Sequence, residues 1–195
     1  MLEHVVAVDG LKSHKDLIES SQEIRRLAER AVNKIARDAR AKAGKEIRSE
    51  VAFPARYLSG SDGKLKLFPS RAQQMKATIR GAFEARSLAR FVQNPGAKKR
   101  GTLRVRVDAE GSAKPMPRAF LMGLKNGNRG LAIRLKPGEK LQGVRMSRKS
   151  WKGLTFLYGP SVDQVFRDVS KDMEPDVALK LEREFLRLME LKGFA

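Results

Sequence analysis

At 195 residues the chain is long enough for one domain with a real core, or for one core plus long arms, and too short for two full domains. It contains no cysteine, which excludes disulfides, a thiol nucleophile and Cys-based zinc sites, and its two histidines, His4 and His14, lie near the N-terminus away from any carboxylate cluster with ligand spacing. The formal charge of +19 is concentrated: residues 51–150 hold 23 Lys+Arg against 5 Asp+Glu, whereas residues 1–50 hold 11 against 9 and residues 151–195 hold 7 against 8.

A middle segment that repels itself implies an anionic partner, nucleic acid being the commonest; the alternative is a generally basic surface with no specific partner. The first residues, MLEHVVAVDGLK, lack the basic start and long apolar run of a secretory signal. No later run approaches the ~18 apolar residues of a membrane span. The expectation is a product that stays in the cytoplasm or goes where a complex carries it.

Residues 11–50 read as a helical arm. Ser13-His-Lys-Asp16 resembles a capping box, and Leu17, Ile24, Leu27, Ala28, Ala31, Ile35 and Ala39 recur at three- and four-residue steps. Arg25, Arg26, Arg30, Arg37 and Arg40 interleave with Glu23, Glu29 and Asp38, the pattern of a solvated, internally paired face. Gly44 is a candidate break, so one rod and two successive helices are both open. The stripe is rich in Ala and therefore needs an outside surface to pack against.

Phe53-Pro54 ends the helical region, and loop texture follows to about residue 75, with Ser59-Gly-Ser-Asp-Gly63 as a turn cluster. Lys64–Phe68, Met75–Arg80 and Thr102–Val107 alternate as strands do; in the last, Leu103, Val105 and Val107 share one face, and Arg104 and Arg106 face water or a partner. Ser87–Val92 looks like one or two helical turns. Asn126-Gly127 between Ala119–Leu124 and Gly130–Leu135 predicts an antiparallel hairpin with a two-residue type I′ turn. Val162–Met173 predicts one helix, and Pro175 begins another that runs to about Lys192. In this last helix Val177, Leu181, Phe185 and Leu188 form one apolar stripe, and Leu179, Leu186 and Met189 form a second, so it should touch two surfaces. The fold class is α+β: an antiparallel sheet with a central hairpin across residues 64–158, packed by the long N-terminal helix and by C-terminal helices in 161–192, all within a single domain of residues 1–195.

The turn in Leu154-Thr-Phe-Leu-Tyr-Gly-Pro-Ser161 has the layout of a phosphate-gripping strand-turn-helix. Ser161-Val-Asp-Gln164, however, is a capping box that occupies the orphan donors a phosphate would use, and Asp163 would repel an anion in the first turn. Gly138 and Gly143 have P-loop spacing, but Val144-Arg145 stands where Lys-Ser/Thr is needed. No pair of carboxylates stands out as general acid and base, and cofactor and resident-metal sites are not expected. The remaining enzymatic alternative is nuclease-like, with a metal on Glu84 or Asp108. Lys98, Lys99 and Arg100, and Arg145, Arg148 and Lys149, lie in two basic loops suited to sequence-independent phosphate contact. Only Trp151 and Phe91 are available nearby for stacking, and Trp151 reads better as a core or interface residue.

The succession "PRAFLMGLKNGNRGLAIRL", a short linker, "LTFLYGPSVDQVFRD" and a charged C-terminal helix resembles the minor tail protein Z family of long-tailed bacteriophages and prophages. Ala31-Val32-Asn33 in the N-terminal helix and "SLARF" before the basic loop are similar too, and the match is most specific over residues 117–168. The resemblance implies a structural virion protein at the head-proximal end of the tail, assembled in the host cytoplasm, beside the tail terminator or tail tube protein and the head-tail connector. It implies a homo-oligomeric ring around the DNA channel, six copies by the symmetry of the tail; the reading of the residues then sets Lys98, Lys99, Arg100, Arg145, Arg148 and Lys149 toward genomic DNA and Leu179, Leu186, Met189 and Trp151 toward neighbouring subunits. Two other readings stay open: a cytoplasmic nucleic-acid-binding module, which calls for stacking aromatics on the sheet, and an adaptor whose charge meets acidic capsid or tube proteins.

Overall fold

The computed structural model describes residues 6–7, 22–59, 63–71, 74–96, 102–125, 127–136, 139, 145–146 and 153–194. The Ala-rich stripe finds its outside surface in the C-terminal helix. Helix α1 (Gln22–Glu50) buries Leu27, Ala28, Ala31, Val32, Ile35, Ala36, Ala39, Ala43 and Ile47, and small side chains at such a seam let two helix axes approach closely. The partner is α3 (Val162–Glu190), which the ion pairs Lys34–Glu184 at 2.8 Å, Lys42–Asp176 at 2.9 Å and Glu23–Lys192 at 3.7 Å place antiparallel to α1. Ala31, Val32, Ile35, Ala36 and Leu181 form a core between the helices that also takes in Ala77.

This packing settles the open question at Gly44 and overrides the helix start expected at Pro175. α1 runs unbroken through Gly44, which costs about 1 kcal/mol relative to Ala, because Ala43 and Ile47 on either side are fully buried. Pro175 lies inside α3 instead of opening a new helix. It lacks the N–H that would bond residue 171, and both Pro175 and Lys171 are exposed, so water can take the freed carbonyl. The N-terminal capping box at residues 13–16 lies outside the described residues.

The β part is divided. The largest antiparallel sheet joins β7 (Phe120–Gly123), β8 (Arg129–Arg134) and β10 (Leu154–Gly159), and β10 also pairs with β4 (Arg86–Ser87) and β9 (Arg145–Met146). A second sheet has the order β1 (Val6–Ala7), β3 (Thr78–Gly81), β2 (Leu65–Phe68), and a third pairs β5 (Arg104–Val105) with β6 (Lys114–Pro115). The α+β class holds, with three small sheets among the described residues in place of one. A single helical turn, α2 (Ala55–Leu58), stands where loop was expected, stacking Tyr57 on Phe53 with ring centroids 5.4 Å apart. Leu88–Phe91 forms the expected short helix, of 3-10 type. Among the described residues no helix is long and apolar enough to cross a membrane.

The hairpin forms, but its turn differs from the expected type I′. Leu124 N–H bonds Asn128 O at 2.8 Å and Gly127 N–H bonds Leu124 O at 3.0 Å, so the loop has three residues, and Gly127 at φ 76 takes the left-handed position after the turn. Leu103 and Val105 are buried and Arg104 and Arg106 exposed, as the alternation requires.

Gly81 fixes where α3 meets the sheets. A Cβ there would lie 2.8 Å from Asp163 Cα and 2.9 Å from Asp163 N, and the Asp163 N–H donates to Ala82 O at 3.2 Å. Gly81→Ala is therefore expected to cost about 1–3 kcal/mol in denaturant unfolding, whereas Gly123→Ala, with nothing within 4 Å of its Cβ, stays within about 0.5 kcal/mol.

The buried Glu184 supplies a pH test of the helix pair. Hydrogen bonds from Arg187 and Lys34 hold its carboxyl at about 2, below the ordinary 4.5. A depressed folded-state pKa contributes stability that is complete above about pH 4.5 and is lost as pH falls toward 2. Glu184→Gln is expected to cost up to about 1 kcal/mol at neutral pH and to flatten stability between pH 4.5 and 2, measured by denaturant titration at a series of pH values.

Candidate functional site

The N-terminus of α3 is closed to an anion. Ser161 Oγ accepts from Gln164 N at 3.2 Å, Gln164 Oε1 accepts from Ser161 N at 3.1 Å, and the Asp163 carboxylate pairs with Arg167 at 2.8 Å. The capping box read from sequence is thus present, and the phosphate-loop layout is a helix start.

What distinguishes the middle of the chain is how its two basic loops are rooted. Lys98, Lys99, Arg100, Arg148, Lys149 and Trp151 lie outside the described residues, and Arg145 is placed by its backbone alone, in β9. The roots are well defined. Asn94 spans the base of the first loop: its Nδ2 donates to Thr102 O at 2.7 Å and its Oδ1 accepts from Arg104 N at 2.9 Å. Beneath it, Gln93 N bonds Arg104 O at 2.9 Å and Arg106 N bonds Phe91 O at 3.0 Å, and Arg104 and Arg106 are exposed at this base.

The second loop leaves β8 through an ionic clamp. Arg118 donates through both guanidinium arms to the Glu139 carboxylate, one contact at 3.0 Å, and to Arg134 O at 2.8 Å; Glu139 Oε2 also accepts from Lys136 N at 2.9 Å. The Arg118 hydrogen bond first, then the one from Lys136, hold the Glu139 carboxyl at about 2. Arg118 sits at φ 87, a left-handed conformation that a non-glycine residue adopts at a cost of about 1–2 kcal/mol, and its bonds to Glu139 and Arg134 help to hold it there.

Both loops lead back to one residue. Tyr158 of β10 is directly opposite Ser87 of β4, which precedes the first loop, and directly opposite Arg145 of β9, within the second. Ser87 Oγ adds a hydrogen bond from Leu131 N at 3.1 Å, fastening this junction to β8.

The two stripes of the last helix separate as expected. Leu181 is buried against α1, with Val177, Phe185 and Leu188 packed on the same cluster. Leu179 and Leu186 are more than half exposed, Met189 is half-buried, and Leu191 and Phe194 continue the exposed apolar surface to the end of the arm. On the second sheet, the ring of the exposed Phe68 has the Arg80 guanidinium 5.0 Å from its centroid. Among the described residues no three His, Asp or Glu side chains are grouped to hold a metal ion; Asp108 is exposed, its Oδ1 accepting from Glu110 N at 3.1 Å. Asn94, ahead of Pro95-Gly96, carried a local sign of its clamp, whereas Arg118 and Glu139, 21 residues apart, carried none.

Fold and surface together define a small, strongly basic α+β protein whose distinctive parts are surfaces: two basic loops that leave the β part and an apolar face along a helical arm. A family model described as prophage minor tail protein Z (GPZ) matches residues 9–191, and the chain belongs to that family. It is a structural protein of a phage tail, located in the virion and in contact with other virion proteins, and its family is not one of enzymes. Comparison with curated proteins and with solved structures gave no match.

Removing the clamp is expected to release Glu139. In Arg118→Ala its carboxyl pKa, followed by NMR, should rise from about 2 toward the ordinary 4.5.

Proposed function

We propose that this protein completes the head-proximal end of the tail as a ring, with six copies around the DNA channel at the head-tail junction, beside the tail terminator or tail tube protein and the connector. The observation that carries the reading is the charge of residues 51–150, with 23 Lys+Arg against 5 Asp+Glu, in a segment whose Ser87, ahead of the first basic loop, and Arg145, within the second, both pair with Tyr158. Lys98, Lys99, Arg100, Arg145, Arg148 and Lys149 are assigned to DNA phosphates. Repeated around a ring, modest attractions to phosphate add up with no strong single site and no base reading. Leu179, Leu186, Met189 and Trp151 are assigned to subunit contacts.

The test is mass by light scattering, with and without short duplex DNA, at low and high salt. A multi-copy ring that retains DNA at low salt and releases it at high salt supports the reading. A monomer indifferent to DNA removes the self-assembling ring and the DNA role together. A ring that never retains DNA points to the adaptor that meets acidic tail or capsid proteins. Replacing Lys98, Lys99 and Arg100 by Ala is expected to lower the salt slope of DNA binding by up to about 0.9 for each phosphate no longer neutralised, uniformly across sequences.

A further inference from the structure

The end of α1, the β5–β6 ribbon and the end of β10 enclose a cleft of about 550 Å³. Leu88, Val105, Val107 and Met116 give it an apolar lining, and Glu50 and Asp108 bring carboxylates to it, beside one lysine, Lys114. Two backbone hydrogen bonds, which together make the antiparallel Val51–Asp108 bridge, hold the two carboxylate-bearing segments together: Ala109 N to Glu50 O at 3.1 Å and Ala52 N to Val107 O at 2.8 Å. Glu50 is the last residue of α1, at the negative end of the helix dipole.

The sign of this cleft is opposite to that of its surroundings. Residues 51–150 hold 5 carboxylates among 23 cations; one of them, Asp108, lines the cleft with Glu50, and Glu110 follows two residues on. Glu50, Asp108 and Glu110 are all exposed, so their field reaches solvent. A partner that is apolar at its tip and basic around it fits both the lining and the charge.

We infer that the cleft is the docking site for a second copy of this chain, which inserts a part of its own basic middle segment. The inference rests on the ring reading above. In the ring reading the contact is head-to-tail: the cleft of each copy receives one neighbour and its own inserted segment enters the cleft of the next, an arrangement that forms a ring when its rotation closes. It also disposes of charge: each copy sets cations of its neighbour against Glu50 and Asp108, and the remaining cations face the channel.

The test uses the full chain with the variant Glu50→Lys/Asp108→Lys, and with Glu50→Gln/Asp108→Asn, which removes charge but keeps an acceptor for the Glu110 N–H. Self-association is measured by sedimentation velocity, and a photoreactive benzoylphenylalanine at the exposed Ser112 reports what occupies the cleft, with isotope-labelled and unlabelled copies mixed. The expected result is at least a tenfold weakening for the charge reversal, a smaller loss for the neutral variant, and a cross-link from position 112 to residues 51–150 of another copy. Association unchanged by either variant, with no cross-link between copies, overturns the cleft proposal and leaves the ring intact. A cross-link formed in assembled tails to a different virion protein overturns the second copy as occupant. A wild-type chain monomeric at every concentration, with no cross-link between copies in tails, removes both the ring and the cleft contact.

Discussion

Everything in this fold depends on α3 lying antiparallel along α1. Its first half belongs to the main core, where Val162, Val165, Phe166, Val169 and Met173 pack with Ile47, Ile79, Leu131 and Leu157. Its second half belongs to the arm, where Leu181 meets Ala31, Val32, Ile35 and Ala36. One rigid element thus links a sheet-based body to a projecting helical pair. The seam can be Ala-rich because the ion pairs at Lys34–Glu184 and Lys42–Asp176 fix the register of the helices from outside it. Such half-exposed pairs add little stability singly, but they distinguish one alignment from its neighbours a turn away.

The sheets are held to this pair by side-chain contacts to backbone. Asn33 on α1 exchanges two hydrogen bonds with Ser70, its Nδ2 donating at 3.2 Å and its Oδ1 accepting at 2.7 Å, and Arg40 donates to Leu65 O at 2.9 Å. The Asn of the Ala31-Val32-Asn33 sequence is therefore a bracket between α1 and the strand pair β2–β3. Its position in the middle of a helix, where Asn is a poor former, makes sense once its amide is engaged by a loop from elsewhere in the chain.

Elements decided by local chemistry were legible in the sequence: the α1 stripe, the Ser161 capping box, the Leu88–Phe91 turn and the Asn-Gly hairpin. The departures share a cause. The course of α1 through Gly44, which the sequence left open, and the departure of α3 in running through Pro175 are settled by packing between segments about 130 residues apart in sequence, a contact that no window of helix propensity contains. The hairpin turn departs from type I′ because Asn-Gly suits two geometries, and the bond from Leu124 to Asn128 selects the three-residue one. The division of the sheet into three follows from strands of two to six residues separated by turn clusters; alternation marks strands but not their partners. For the site, composition located the basic loops, whereas the clamps that root them, Asn94 and Arg118–Glu139, bind backbone and charge across gaps that only the fold closes.

The distribution of charge separates the two halves of the molecule. On the helices, cations are largely matched: Glu184 takes Lys34 and Arg187, Asp176 takes Lys42 and Lys180, and Asp163 takes Arg167. The middle has no such option. With 23 cations and 5 carboxylates in residues 51–150, one-to-one pairing within the segment leaves at least 18 cations over, and Arg118 already takes up one carboxylate, Glu139. Screening over about 8–10 Å at physiological salt softens this repulsion without removing it between neighbouring residues on one small sheet. A chain that needed only a stable fold would spread or match these charges, as its own helices do. Under the proposed DNA contact the unmatched cations of the middle segment face phosphates, and the cleft beside Asp108, with Glu50 and Asp108 against Lys114, carries the opposite sign.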